Sequence, residues 1–247
     1  TSRRGTTSAL RQSGWSRQTC CQTARVTTHD DANRDSAADA ADRPSTPVEL
    51  AWAEHLGTGS DLLDRLVIRY RERQRRYHKI GHVEAVLVSI AALTEGEQVN
   101  DLGAIIAAVL YHDAVYEPQH PANERASARL ARRDLLALGW ADDRANAVAA
   151  MIEGTKTHLD PLSSDAAVMN DADLAILGAD ETEYARYAKA VRDEHTHLDD
   201  REWNDGRVAV LHAFLDRDSI YATATGRELW EASARANVSA EIASIRS

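Results

Sequence analysis

Apolar side chains recur every three to four residues along most of the chain from residue 47 onward. Leu62, Leu66 and Tyr70, for example, fall on one side of a helix, and this spacing is typical of amphipathic helices. No alternation of apolar and polar residues continues far enough to indicate a strand. The pattern predicts an all-α bundle, with helices ending near residue 56 and spanning 62–70, 82–93, 102–112, 123–138, 142–152 and 165–177, followed by two or three more.

A short turn separates the first two predicted helices. Gly57 and Gly59 are expected to end the first helix, because glycine readily adopts the backbone conformation found just after a helix. Ser60 and Asp61 are the expected caps of the second helix, since their side-chain oxygens can accept hydrogen bonds from its free N–H groups. The connection between the two helices is therefore expected to be brief.

The first 46 residues differ in composition from the rest of the chain. They are rich in Thr, Ser, Arg, Asp and Ala and contain hardly any large apolar side chains, so they cannot bury enough surface to offset the entropy lost on ordering. Their Arg-rich start is similar to a transit peptide, and an over-extended gene start accounts for it equally well. We expect residues 1–46 to form a disordered tail and residues 47–247 to form one helical domain.

The charge balance limits the classes of partner. The formal net charge is −10 at pH 7, which argues against nucleic-acid binding through a broad basic surface. A small anionic ligand would need a local positive site, for which one candidate is a set of arginines at helical spacing, although a solvated helix face is the preferred interpretation of most of them. These are Arg65, Arg69, Arg73 and Arg76.

Nothing in the sequence indicates a membrane or an oxidising compartment. No apolar run reaches the roughly 18 residues of a membrane span, and residues 1–25 lack the hydrophobic centre of a secretory signal. The only two cysteines, Cys20 and Cys21, are adjacent, and neighbouring cysteines rarely bridge each other. The expected location is the cytoplasm, and the sequence leaves the oligomeric state open.

Imidazole and carboxylate groups occur in three fragments that lie within or beside apolar helical stretches. Such groups are costly to bury unless they are paired or bound to a metal. For any one of them a satisfied structural role is more common, but together they indicate a metal site. The fragments are Tyr77-His78-Lys79-Ile80-Gly81-His82, Tyr111-His112-Asp113 and Asp171-Ala172-Asp173-Leu174.

The spacing within these fragments constrains their geometry. His78 and His82 are four residues apart, so a helix that began near His78 would place both on one side of its first turn. Consecutive helical residues diverge by about 100°. His112 and Asp113 can therefore reach one ion only at a helix end or irregularity, and the following loop at 114–121 offers that freedom.

These motifs resemble the HD-domain superfamily of metal-dependent phosphohydrolases, an all-helical fold named for its His-Asp doublet. The resemblance extends from about Leu50 to the C-terminus and is greatest to bacterial predicted HD phosphohydrolases with mostly unassigned substrates. Cyclic nucleotide phosphodiesterases are a more distant likeness, although Lys79 replaces an Asn of their motif. The motifs that carry the resemblance are Arg76-Tyr77-His78 through His82, Tyr111-His112-Asp113-Ala114-Val115-Tyr116, Asn123-Glu124-Arg125-Ala126-Ser127-Ala128 and Asp171-Ala172-Asp173-Leu174-Ala175-Ile176-Leu177-Gly178.

The resemblance implies a role for each residue. The implied metal ligands are His82, His112, Asp113 and Asp173. Asp173 is favoured over Asp171, and His78 is the implied general acid, with Asp113 also in the catalytic set. The ion would activate water for attack on a small phosphoester, such as a nucleotide. Mixed nitrogen and oxygen ligands suit Mn²⁺, Fe²⁺, Co²⁺, Ni²⁺ or Zn²⁺ better than Ca²⁺. Mg²⁺ and the number of ions stay open.

Several further residues are weaker candidates. Asp171, Glu124 and His158 could bind a second ion or orient the first ligands, although for Glu124 and His158 a helix-start carboxylate and a loop histidine are equally good interpretations. Arg76 and Lys156 could contact phosphate, with solvent exposure the simpler expectation for lysine. His195 and His197 are expected to be solvated, because the surroundings from Glu194 to Asp200 are charged and exposed. The family-like arginines Arg207 and Arg235 are expected to form buried salt bridges.

Two other classes of function compete with hydrolysis. The first is a metal-containing nucleotide-binding sensor that does not turn its ligand over, because binding and ligation would use the same residues. The second is di-iron oxygen chemistry, which some proteins of the HD fold perform. Such centres need extra histidines between the His-Asp doublet and the last Asp, and that interval offers only His120 and His158.

Overall fold

The computed structural model describes residues 45–118 and 120–246, and this part of the chain is built from helices without a strand. The all-α prediction is therefore confirmed. The helices are α1 (Pro47–His55), α2 (Ser60–Arg69), α3 (Ile80–Leu93), α4 (Leu102–Tyr111), α5 (Asn123–Ala137), α6 (Asp142–Gly154), α7 (Ser164–Leu174), α8 (Glu181–Glu194), α9 (Asp200–Leu215) and α10 (Ala224–Ile245), with a 3-10 helix at Ala175–Gly178 between α7 and α8.

The start of α1 is fixed by a capping box. The Thr46 hydroxyl accepts a hydrogen bond from the Glu49 N–H at 3.2 Å, and the Glu49 carboxylate accepts one from the Thr46 N–H at 2.7 Å. These bonds satisfy two N–H groups that the helix leaves unpaired. The predicted disordered tail at 1–46 lies outside the described residues except for its last two, and Thr46 belongs to the folded part.

The turn between α1 and α2 differs in detail from its prediction. Gly57 follows α1 with φ of +77°, as expected for a glycine that ends a helix. The predicted caps of α2 are wrong, because Gly59 with φ of +93° is the N-cap and Ser60 is already the first helical residue. The positive φ excludes the extended backbone that a serine or aspartate cap normally adopts.

The main core surrounds α4. Every side chain from Ala104 to Tyr111 is buried, and α4 packs against α1, α3, α5, α6 and α7. A helix that is apolar on all sides is stable only when neighbours cover it completely. α4 thus forms the centre of the bundle, and its C-terminus delivers His112 to an interior position.

A second core joins the 3-10 helix to the C-terminal helices. Leu177, Leu211 and Val238 are each at most 1% exposed and belong to one cluster, and Trp230 packs against both this cluster and the main core. The predicted single helix at 165–177 therefore changes to a 3-10 turn after Leu174. Within the described residues, no helix is long and apolar enough to span a membrane.

Candidate metal centre

Three helices that pack against one another bring four predicted ligands together. His82 lies in the first turn of α3, His112 is the C-cap of α4, Asp113 follows it in a turn, and Asp173 lies one residue before the end of α7. The helix end at His112 provides the irregularity that an adjacent His-Asp pair needs. The predicted cluster is thus assembled across 91 residues by the contacts of α3, α4 and α7 with one another.

The donor nitrogens of His82 and His112 lie close to each other and to one oxygen of each carboxylate. His82 Nε2 lies 3.0 Å from His112 Nε2, 3.0 Å from Asp173 Oδ1 and 3.6 Å from Asp113 Oδ2. His112 Nε2 lies 3.1 Å from Asp113 Oδ2 and 3.5 Å from Asp173 Oδ1. One atom each of His82, His112 and Asp113 fits within 4.8 Å, the arrangement expected of a shared cation.

The chemistry of the donor set fits a divalent ion. The Nδ1 atom of His112 lies 2.8 Å from the Val109 carbonyl oxygen, so a neutral imidazole carries its proton on Nδ1 and its lone pair on Nε2. That lone pair faces His82 Nε2 and two carboxylate oxygens. Lone pairs and negative charges gathered in this way repel one another unless a proton or a cation lies among them.

The pKa values of His112, Asp113 and Asp173 reflect the close approach of these groups. Burial disfavours the charged form of His112, but the carboxylates of Asp113 and Asp173 outweigh that cost and raise the pKa of His112 well above its usual value. Burial would raise the pKa values of both carboxyls, but the neighbouring histidines, His112 foremost, hold them below the ordinary range. Without a metal, the protonated imidazole of His112 therefore balances part of the charge of the two carboxylates, a role that a divalent cation could take over.

His158 supports Asp173 from the loop between α6 and α7. Its Nε2 lies 2.9 Å from Asp173 Oδ2, the oxygen that does not face His82. His158 adopts a φ of +51°, which is unfavourable for a non-glycine residue, and Arg217 donates a 3.1 Å hydrogen bond to its carbonyl oxygen. The loop is thus held in a strained conformation that turns an imidazole toward a candidate ligand.

His78 does not lie on a helix, so it does not share the first turn of α3 with His82. α3 begins at Ile80, and His78 precedes it in an irregular segment. Its Nδ1 lies 2.6 Å from Glu194 Oε2, and its ring stacks on that of Tyr116 with centroids 4.4 Å apart. Burial would lower the pKa of His78, but Asp113, Glu194 and Asp173 outweigh that effect and raise it.

Glu194 lies near the centre, and the sequence did not indicate it. Its Oε1 accepts hydrogen bonds from the N–H groups of Arg76, Tyr77 and His78 at 2.6, 2.8 and 3.0 Å. Its Oε2 accepts one from the Tyr116 hydroxyl at 2.9 Å in addition to the contact with His78. Burial opposes the charge of Glu194, but these partners, His78 first, lower its pKa to about 2. The charged surroundings of His195 and His197 predict exposed side chains here, whereas Glu194 is buried.

The sequence also did not indicate Arg75, because this residue lies in a run of basic residues. Its side chain is completely buried, and its Nη1 donates to the carbonyl oxygens of His78 at 2.9 Å and Asp113 at 2.8 Å. It therefore ties the segment before α3 to the turn after α4. The predicted helical row of arginines is wrong, because α2 ends at Arg69.

The two aspartates of α7 face different parts of the molecule. Asp171 accepts hydrogen bonds from the N–H groups of Ala222 and Thr223 and from the Thr223 hydroxyl, at 2.8, 2.7 and 2.6 Å. It secures the start of α10 and makes no hydrogen bond or ion pair with the four ligand candidates in the described residues. Because helical residues two apart diverge by about 200°, Asp173 faces the centre when Asp171 faces α10.

The remaining candidates lie away from the four donors. Glu124 is half-buried in the first turn of α5, without a hydrogen bond or ion pair to them in the part of the chain described. Lys156 donates to the Pro121 carbonyl oxygen at 2.7 Å, and the exposed Arg76 guanidinium donates to the Arg75 carbonyl oxygen at 3.1 Å. Neither cation reaches the centre in this conformation.

Other histidines and arginines serve the fold. His120 accepts a hydrogen bond from the Ala122 N–H, and His195 contacts the Val191 carbonyl oxygen rather than a ligand pair with His197. Arg207 forms the predicted buried salt bridge with Glu241, at 2.8 and 3.0 Å. Arg235 pairs with Glu231 at 2.7 Å, although it is only partly buried.

A cavity of about 810 Å³ adjoins the centre. His82 and Asp173 form part of its wall, Tyr77 and Trp230 supply aromatic surface, and its rim carries basic side chains. Binding sites for small molecules typically measure about 300–1,000 Å³. The volume is therefore sufficient for a ligand of nucleotide size beside the four donors.

Comparison with known proteins adds no further constraint. The chain matches no protein-family model, no curated protein and no solved structure.

Proposed function

We propose that this chain is a divalent-metal-dependent phosphohydrolase of the HD-domain superfamily that acts on a small phosphoester, such as a nucleotide. The observation that carries the proposal is the convergence of two imidazoles and two carboxylates from α3, the end of α4 and α7. These residues are His82, His112, Asp113 and Asp173. Such a mixed set of nitrogen and oxygen donors suits Mn²⁺, Fe²⁺, Co²⁺, Ni²⁺ or Zn²⁺, with Mg²⁺ as a further candidate.

The ion, when bound, would supply Lewis acidity and lower the pKa of a coordinated water. The protein's own contribution begins with the orientation of the ligands. The Val109 carbonyl oxygen fixes the tautomer of His112, and His158 holds the second oxygen of Asp173. Outer partners of this kind commonly contribute about 10–100-fold to metal affinity.

His78 is the proposed proton donor. Its Nδ1 is engaged by Glu194, so Nε2 is the nitrogen available to a substrate. A raised pKa favours the imidazolium form near neutral pH, and this cation can attract the phosphoester and then give its Nε2 proton to the departing oxygen. Glu194 would stabilise the charged ring before that transfer. General acids of this kind typically contribute about 10²–10⁴-fold to the rate.

The adjoining cavity supports a small anionic substrate. Arg76, Lys79 and Arg186 line it, opposed by the carboxylates of Glu183 and of the proposed ligand Asp173. A local excess of positive charge on a chain with a net charge of −10 favours an anion at this place. The aromatic and aliphatic wall suits the organic part of a phosphoester better than free phosphate.

The proposal is tested by assaying purified protein, loaded with each candidate metal, against nucleotides, p-nitrophenyl phosphate and bis-p-nitrophenyl phosphate. We expect metal-dependent release of product, lost in the double variant His112→Ala with Asp113→Ala and retained in His197→Ala, which changes an exposed histidine. Equal activity in the double variant and the unmodified chain would overturn the proposal. Thermal stabilisation by a nucleotide without any product would instead favour a sensor that binds and does not hydrolyse.

A further inference from the structure

A second cavity of about 970 Å³ lies against α6, α7 and the loop that joins them. Ala147 and Ala150 of α6 line one side, and Leu159 and Leu162 of the loop line another. None of the four proposed metal ligands contributes to its wall. It is therefore a separate site from the cavity beside His82 and Asp173.

The charge of this cavity is negative. Asp143, Glu153 and Asp160 line it and form no salt bridge in the described part of the chain, although the charge of Asp160 acts on the guanidinium of Arg217. The cation in its wall, Arg144, is already paired with Asp101 at 2.6 and 2.8 Å. Unpaired carboxylates around an open volume raise the local concentration of cations, but acidic side chains alone are common on surfaces and do not define a ligand.

An amide without a hydrogen-bond partner in the wall gives the second, independent observation. The Asn170 side chain is in the cavity wall and is 4% exposed, and it has no hydrogen-bond partner among the described residues. Its Oδ1 is 4.0 Å from the position that a Cβ atom on Gly154 would occupy. The Oδ1 atom can therefore accept a hydrogen bond from a ligand that carries an N–H donor.

The spacing of the carboxylates in the wall does not suit a single metal ion. Among the described residues, the group of three carboxylate or imidazole donors that lies within 4.8 Å is the one at the metal centre. The acids of the second cavity are therefore spread around it instead of converging on a point. Its apolar surface includes Leu159 and Leu162, which are 52% and 92% exposed and are therefore available to an apolar part of a ligand.

We infer that this second cavity binds a small aliphatic cation with ammonium or guanidinium groups. The carboxylates of Asp143, Glu153 and Asp160 would pair with its charges, Asn170 would accept one of its N–H groups, and the leucines would cover its methylene stem. This inference goes beyond the proposed hydrolysis and does not depend on it.

One loop contributes both to the wall of this cavity and to the metal centre. Leu159 contacts the cavity, while the preceding residue, His158, holds Asp173 with its imidazole. His158 and Asp160 both have positive φ values, +51° and +44°, which are uncommon for residues other than glycine.

Isothermal titration of the full chain with spermidine and with agmatine, at matched ionic strength, tests the inference. We expect saturable binding of at least one probe with one site per chain. Two changes should weaken it by about tenfold or more: Ala150→Trp, which fills the cavity from an exposed position, and the pair Asp143→Asn with Glu153→Gln. Ala185→Trp, at an exposed position that lines neither cavity, is the control and should leave the affinity unchanged.

Two results would overturn the inference. The first is an absence of saturable binding by either probe, or binding that both cavity variants retain at full strength, since this would mean general screening of the negative chain. The second is competition by Mg²⁺ with equal affinity at the same ionic strength, since this would make the acids a metal site. Because the carboxamide pair changes no volume, it remains informative if Ala150→Trp does not fold.

Discussion

The Nδ1 atom of His78 lies 2.6 Å from Oε2 of Glu194, across 116 residues of sequence. The same carboxylate accepts three successive backbone N–H groups around His78. Glu194 therefore positions both the ring and the backbone of the segment that precedes α3. A residue in the last turn of α8 determines the conformation of the proposed acid.

This relationship predicts a pH-dependent loss of stability in Glu194→Gln. The pKa of Glu194 is lowered to about 2, so its contribution is complete above the ordinary value of 4.5 and is lost as the pH falls toward 2. The pKa of His78 is raised, so its contribution is complete below 6.5 and is lost as the pH rises through its folded value. We expect the variant to lose about 3 kcal/mol of unfolding free energy between pH 5 and 6, because breaking a buried ion pair costs that order.

Urea denaturation at pH 6 and at pH 2.5 measures this difference. Glu54→Gln, at an exposed position of α1, is the control and should stay close to the unmodified chain at both values. The interpretation fails if the loss in Glu194→Gln has the same size at the two pH values. A loss of catalytic rate in the same variant would connect the pair to the proposed chemistry.

The two aspartates of α7 are expected to respond in opposite ways to the same change. Asp171→Asn replaces one acceptor of the Ala222 and Thr223 N–H groups by a donor, so we predict a loss of about 2 kcal/mol of unfolding free energy with metal affinity retained. Asp173→Asn should lower metal affinity by about tenfold or more with a smaller effect on stability. Titration with Mn²⁺ and chemical denaturation of both variants provide the test, and a reversed order would contradict the assignment.

His158 is predicted to act on the metal through Asp173. His158→Gln removes the imidazole that lies 2.9 Å from Asp173 Oδ2, and we expect the dissociation constant for Mn²⁺ to rise by about tenfold, as for other outer partners of metal ligands. His197→Gln changes an exposed histidine and should have no effect. Equal affinities of the two variants would show that His158 is a structural loop residue.

Two glycines make a matched test of the packing between the 3-10 helix and α10. A Cβ atom on Gly178 would lie 2.9 Å from the Trp230 Cα atom, whereas one on Gly206 would meet nothing within 4 Å. Gly178→Ala should therefore destabilise the fold by about 2 kcal/mol. Gly206→Ala should stabilise it by about 0.5–1 kcal/mol, because alanine favours the helix. Thermal denaturation distinguishes them, and a stable Gly178→Ala would refute this close packing.

The helices were predictable from sequence because their signal is local. Apolar residues at helical spacing mark α3 to α7 within a few residues of their observed bounds. The break in α7 after Leu174 was not predictable in this way. It depends on Trp230 and the rest of α10, which are distant in sequence.

Sequence patterns predicted only some of the residues of the site. His82, His112 and Asp113 stand out because they are ionisable residues in apolar surroundings. Glu194 has the opposite appearance, since it lies among charged residues at the end of a polar helix, and its burial results from tertiary contacts. Arg75 is hidden similarly in a basic run. A polar sequence context predicts an exposed side chain. It therefore does not identify a buried charged residue whose partners come from another part of the fold.

The central claim is that His82, His112, Asp113 and Asp173 hold one divalent ion. Its most direct test is titration of metal-free protein with Mn²⁺, followed by electron paramagnetic resonance, for the unmodified chain and for Asp113→Ala with Asp173→Ala. We predict saturable binding to the unmodified chain, and a loss of that binding in a double variant that remains folded by circular dichroism. Binding of the same strength in the folded double variant, or none in the unmodified chain with any candidate metal, would contradict the account.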